Sequence, residues 1–177
     1  MTENPIVRLA RAYRFAAEAH EGQKRKGERG EPYVNHVIEV ADLLAGATDG
    51  ADIDLIIAAL LHDTVEDTPV TPADLTREFG ARVAGLVAEV TDDKSLTQAE
   101  RKRAQVEHAP HLSRGAQIIK LADKTSNVRA IIASPPKDWS AQRRADYVDW
   151  ARQVAEICRP ASPRLAALFD EAAGRAG

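Results

Sequence analysis

The chain of 177 residues predicts an all-α fold, an irregular multi-helix bundle. Three observations carry this. Helix start and stop signals are dense, alternating strand-like patterns are almost absent, and aromatic residues are few beside abundant Ala, Leu, Ile and Val. The length fits one compact domain and not comfortably two, so a single domain over 1–177 is expected, with a helical core of about 5–173. No repeat, low-complexity stretch or linker divides it.

Asn4 followed by Pro5 reads as an N-cap and a first-turn proline, opening a helix to about His20. A polar, glycine-rich loop, EGQKRKGERGEP, follows. A second helix is expected from about Tyr33 to Ala45, with Gly46 as its stop. The third covers about Asp52 to Asp67 and ends at Thr68-Pro69, since a residue before proline is biased out of the helical region. Thr71-Pro72 with Asp74 restarts a short helix reaching Gly80. Val83, Leu86, Val87 and Val90 mark the next helix, Asp92-Asp93-Lys94-Ser95 a loop, and Thr97 with Glu100 a capping box. A segment from about Gly115 to Ile132 stops at Pro135-Pro136. Ser140 caps a helix to Arg159, and Ser162-Pro163 caps the last, to about Ala173.

Bulk properties narrow the function classes. No apolar run approaches the roughly 18 residues that would span a bilayer. The N-terminus lacks the basic-then-apolar order of a signal peptide, and the single cysteine, Cys158, fits a reducing compartment, so a cytoplasmic protein without a membrane partner is expected. The net charge of −3 argues against a general nucleic-acid binder but leaves room for one small phosphorylated ligand.

The polar residues on apolar stripes point further. In LLHDTVEDTP, residues 60–69, the third helix delivers His62, Asp63, Glu66 and Asp67 within six positions. Spacings of three and four place these on one broad arc. Carboxylates at a helix C-terminus oppose the macrodipole, and a bound cation would reverse that sign; a solvated last turn is the plain alternative. In GAQIIKLADKTSNVRAII, the series Ile119, Asp123, Asn127 continues one face, so Asp123 calls for a cation, which a Lys or Arg from another helix would also supply. His36 lies early on the second helix, whose apolar side is marked by Val37, Val40, Leu43 and Leu44; there a hydrogen-bonded core histidine competes with a ligand. Together His36, His62, Asp63 and Asp123 make a mixed N/O donor set suited to a divalent ion such as Mn²⁺, Fe²⁺ or Zn²⁺. Glu66 and Asp67 remain as carboxylates beside that ion, able to orient or deprotonate a water, and the combination reads as metal-assisted hydrolysis. Basic residues in QKRK and ERKR could receive phosphates or simply form a solvated face. His20, His108 and His111 read as surface or structural residues rather than ligands of a second ion.

The pattern of His, His-Asp and a distant Asp resembles the HD-domain phosphohydrolases. Longer stretches resemble the hydrolase domain of the RelA/SpoT homologues, above all the small alarmone hydrolases of the metazoan SpoT-like type: GQKRKGERGEPYVNH, AALLHDTVEDT, EFGARVAGLVAEVTDDK, ERKRAQVEHAPH, KLADKTSNVR and WSAQRRADYVDWA. They span about residues 12–157 in consistent order. The resemblance implies an HD-domain bundle and one divalent ion, usually Mn²⁺, held by His36, His62, Asp63 and Asp123. It implies Glu66 and Asp67 as the catalytic acidic pair, Arg25 against the nucleobase, Lys26 near the base or its phosphates, and Asn127 near the ribose. The implied substrate is a small guanosine nucleotide: the 3′-pyrophosphate of ppGpp or pppGpp is removed, giving GDP or GTP. The chain departs from relatives at Val37, where many have proline, and at Lys124-Thr125-Ser126, where a larger residue often precedes Asn127. It ends soon after the helical core, so hydrolysis without synthesis is expected. Two other readings stay open: a phosphatase of another nucleotide such as NADPH, and a non-catalytic nucleotide sensor.

Overall fold

The most apolar helix lies deepest. In a computed structural model that describes residues 3–175, the chain forms α1 (Pro5–Ala19), α2 (Val34–Ala47), α3 (Ile53–Leu61), α4 (Thr64–Asp67), α5 (Pro72–Phe79), α6 (Ala81–Val90), α7 (Gln98–His108), α8 (Arg114–Ala133), α9 (Ala141–Cys158) and α10 (Pro163–Gly174). Short 3-10 turns follow α7 and α9. The described residues include no strand, only an isolated bridge between Lys24 and Pro32. All seven residues from Leu55 to Leu61 are buried, so α3 is a core helix enclosed by α1, α2, α6 and α8 rather than an amphipathic surface helix. The 20-residue α8 is the second axis and packs against α2, α3, α6, α9 and α10. Several of its buried residues are polar: Lys120, Asp123, Lys124, Thr125 and Ser126. Such groups persist inside a core only with partners, and their partners define the site.

Most expected caps are present. Asn4 accepts from the Ile6 N–H, and Thr71–Asp74 and Thr97–Glu100 form reciprocal capping boxes. Two boundaries differ from the sequence reading. Helix α2 runs through Gly46 and ends at Ala47, with Thr48 as its cap. There Asp49 and Gly50 take left-handed φ of 51° and 67°, and the Gly50 N–H donates to Ala45 O at 2.9 Å. The left-handed residue that ends the helix is thus not Gly46.

The other difference shapes the site. The single helix expected over 52–67 is two helices, α3 and α4, broken at His62-Asp63. Side chains take the carbonyls of the last turn of α3: His62 Nδ1 meets Ala59 O at 2.8 Å and Thr64 Oγ1 donates to Leu61 O at 2.7 Å. Such local bonds compete with the helical ladder. Glu66 and Asp67 therefore belong to a separate single turn, and the macrodipole argument built on one continuous helix loses its premise. Because residues 55–61 of α3 are buried all round, removing volume from them should be costly. Leu60→Ala is expected to lower the free energy of unfolding by about 3 kcal/mol, read as a lower urea midpoint with an unchanged slope.

Candidate active site

Three helices converge on one point: the start of α2 brings His36, the end of α3 brings His62 and Asp63, and the middle of α8 brings Asp123. His36 Nε2 lies 3.5 Å from Asp63 Oδ2 and 3.3 Å from Asp123 Oδ1; His62 Nε2 lies 3.0 and 3.8 Å from the same two oxygens. Neighbouring ligands on a small octahedral ion sit about 3 Å apart, given metal–oxygen bonds of about 2.1 Å, so these spacings suit a shared cation. His36, His62 and Asp123 are buried, and Asp63 nearly so.

The surrounding hydrogen bonds decide which atoms face inward. Ser126 Oγ donates to Glu39 Oε2 at 2.8 Å, so its oxygen must accept at 2.9 Å from His36 Nδ1. His62 Nδ1, facing a carbonyl, must likewise be the donor. In their neutral form both imidazoles thus turn the Nε2 lone pair toward two carboxylates, and His62 Nε2 is buried without a hydrogen-bond partner among the described residues. Acceptors facing acceptors in a buried space require a positive charge, and the donor set fits a divalent metal. Titration tendencies agree: burial lowers the pKa of His62, but Asp63 and Asp123 outweigh it and raise it to about 10. A proton is drawn to the place a metal would occupy. Asp123 has a lysine partner, though from its own helix: Lys124 Nζ meets Oδ2 at 2.9 Å, and Oδ1 is left with Asn127 Nδ2 and the imidazoles. Burial raises the Asp123 pKa, yet the Lys124 charge and the imidazoles hold it well below the usual carboxylate range. Tyr33 Oη donates to Asp63 Oδ2 at 2.6 Å; burial and the Asp63 charge raise the phenol's pKa and keep it a donor.

The acidic pair lies one turn on. Glu66 Oε2 accepts the Asp92 N–H at 3.0 Å, and Lys94 Nζ lies 3.6 Å from Glu66 Oε1 while bonding Asp67 Oδ1. Burial raises the Glu66 pKa, with Asp63, Asp92 and Asp67 adding to it. A carboxylate with a raised pKa is a better proton acceptor. The Asp67 carbonyl accepts from Gln23 Nε2 at 3.0 Å, and Gln23 Oε1 meets His20 Nδ1 at 2.8 Å, so buried His20 is a structural residue that ties the first loop to the acidic turn. His108 and His111 are exposed.

Two chambers meet here. One, of about 200 Å³, is lined by His62, Asp63, Glu66, Asp67 and Asp123 together with several cations. The other, of about 270 Å³, is lined by Arg25, Lys26, Ile131 and Trp139. Tyr33, Gln98, Asn127 and Tyr147 line both and mark the passage. Arg25 Nη2 donates to Asn127 Oδ1 at 3.0 Å and Asn127 Nδ2 to Asp123 Oδ1 at 2.5 Å, joining the chambers through one side chain. The loop that carries Arg25 packs tightly on the end of α8: a Cβ on Gly27 would come within 2.4 Å of Ser134 O.

All the candidate residues from the sequence except His36 line these chambers; His36 lies behind the wall, its Nε2 3.3 Å from Asp123 Oδ1. Tyr33, Lys94, Ser126 and Lys124 escaped the sequence reading. Tyr33 stands one helical turn before His36 and was open to inference. Ser126 reaches His36 across 90 positions of sequence, and nothing local announces Lys94 as a partner of Asp67. Removing the Ser126 hydroxyl should free the His36 ring. Ser126→Ala is expected to weaken Mn²⁺ binding about 10- to 100-fold by calorimetry, with the far-ultraviolet dichroism of the wild type.

Comparison with known proteins shows the family. Residues 12–156 match the HD domain family. The chain is 51% identical over 151 residues to MESH1 of Danio rerio, named guanosine-3′,5′-bis(diphosphate) 3′-pyrophosphohydrolase, covering 85% of this chain and 84% of that one. It is 38% identical over 171 residues to the bifunctional (p)ppGpp synthase/hydrolase SpoT of Escherichia coli K12, covering 93% of this chain and 23% of SpoT. The solved structure of a metazoan SpoT orthologue, described as hydrolysing ppGpp, superposes with a TM-score of 0.91 at 42% identity, covering 97% of this chain and 96% of that one. The chain belongs to the HD-domain family, on the branch that includes the MESH1 proteins.

Proposed function

We propose that this protein is a metal-dependent 3′-pyrophosphohydrolase of guanosine alarmones, converting ppGpp or pppGpp with water into GDP or GTP and pyrophosphate. The observation that carries the reading is the junction of the chambers. A donor set for a divalent ion and an acidic pair share a passage, at Tyr33, Asn127 and Tyr147, with a pocket whose arginine and aromatic rings suit a purine. Its similarity to proteins named as ppGpp 3′-pyrophosphohydrolases supports the same substrate class.

A divalent cation, Mn²⁺ in this reading, held by His36, His62, Asp63 and Asp123 would neutralise phosphate charge and acidify a water. Glu66, whose pKa is raised by burial, would accept the proton of the attacking water, and Asp67 would hold that water in line. The water oxygen bonds to the phosphorus carried on the ribose 3′ oxygen. The bond from phosphorus to that oxygen breaks, the electron pair stays on the 3′ oxygen, and a proton completes the hydroxyl. Arg25, its guanidinium 5.8 Å from the centre of the Tyr33 ring, lies against the base; Lys26 stands at the chamber mouth near base or phosphate. Asn127, between Arg25 and Asp123, sits at the ribose.

With ppGpp and Mn²⁺ the protein is expected to release GDP and pyrophosphate in equal amounts, and a chelator should stop it. Glu66→Gln should lower kcat about 100-fold or more while still binding Mn²⁺. Arg25→Ala should act chiefly through KM. Turnover of NADPH or a deoxynucleoside triphosphate with ppGpp untouched would overturn the substrate assignment.

A further inference from the structure

We propose that Lys102 receives the terminal phosphate of a substrate's 3′-diphosphate, making it the residue that selects diphosphates over monophosphates at the scissile position. The inference rests on the hydrolase reading above. If the scissile phosphorus lies at the ligand cluster and the base beyond Tyr33 and Asn127, the second phosphate must occupy the remainder of the metal chamber. Four cations line that chamber and not the base chamber: Arg101, Lys102, Lys120 and Lys124.

Three of these already have partners. Arg101 Nη1 donates to Leu96 O at 2.8 Å, Lys120 Nζ to Val90 O at 2.7 Å, and Lys124 Nζ to Asp123 Oδ2 at 2.9 Å. The Lys102 ammonium makes neither a hydrogen bond nor an ion pair among the described residues, although the residue is half-buried. It is held in place nonetheless. Its Nζ lies 4.9 Å from the Trp150 ring centre and 5.2 Å from that of Tyr147, and Trp150 Nε1 donates to the Lys102 carbonyl at 2.9 Å. Burial, with the positive charges of Arg143 and Lys124, lowers its pKa. The Asp146 charge opposes that shift from beyond ion-pair distance, and a fixed, partly desolvated cation with no ion-pair partner favours an anion beside it. The same ring stacks near Lys124 Nζ at 4.5 Å, so Trp150 places Lys102 relative to the lysine that pairs with Asp123.

The test compares guanosine 5′-diphosphate carrying either a 3′-diphosphate or a 3′-monophosphate. Lys102→Met, which keeps the stem on the aromatic rings, is expected to cut the preference in kcat/KM for the diphosphate about tenfold or more, and Lys102→Arg to restore most of it. An unchanged preference ratio would overturn the assignment. A second measurement stands apart from turnover: titrating the metal-loaded protein with pyrophosphate and with orthophosphate, followed by tryptophan fluorescence. Lys102→Met should weaken pyrophosphate about tenfold relative to orthophosphate. If the wild type hydrolyses neither nucleotide, the hydrolase reading fails, and the titration still decides the role of Lys102: equal pyrophosphate affinity in both proteins would reject it.

Discussion

Two imidazole lone pairs and two carboxylate oxygens, packed within 4 Å across the pairs and largely buried, repel one another unless a positive charge lies between them. Much of the surrounding structure serves that arrangement. The break after α3 aims Asp63 at His62 instead of letting it continue around the helix. The register of α8 puts Asp123 opposite both rings. Ser126, Ala59 and Tyr33 fix which atoms face the centre, two by holding the Nδ1 atoms and one by holding an Asp63 oxygen. A cation between them would compensate the cluster.

The acidic turn depends on that cluster while standing outside it. Had residues 52–67 been one helix, Glu66 and Asp67 would have continued the arc of His62 and Asp63. As a separate turn they are held by other elements: Asp92 and Lys94 from the loop after α6, and Gln23 from the first loop. The division sets Asp63 and Asp123 beside the two imidazoles and leaves Glu66 apart from them, its pKa raised by burial.

Much of this was legible in the sequence, and for physical reasons. Asp123 on an apolar stripe and His62-Asp63 after an unbroken apolar run are visible because burial of such groups is costly, so their presence signals partners. Caps at Asn4, Thr71, Thr97, Ser140 and Ser162 are local and read directly. What failed was what depends on competition between local bonds: Thr64 and His62 taking the carbonyls of α3, or Asp49-Gly50 ending a helix that passes through Gly46. What was missed was nonlocal. Ser126 appeared only as a small residue in an altered pocket wall, because its bond to His36 joins two distant segments. Substrate identity came through resemblance; periodicity and spacing alone reached no further than metal-assisted hydrolysis.

The contact at Gly27 has a consequence for how a ligand is met. The loop over residues 21–32 is fastened at several points: the Arg25 N–H on Glu31 O, the Tyr33 N–H on Gln23 O, the Glu28 N–H on Pro135 O and the Arg29 N–H on Ser134 Oγ. With no side chain at residue 27, the backbone settles directly on the end of α8. Arg25 therefore waits on a segment whose conformational entropy was surrendered at folding. A nucleotide arriving there has little left to order, and more of its intrinsic contact energy can appear as affinity and alignment.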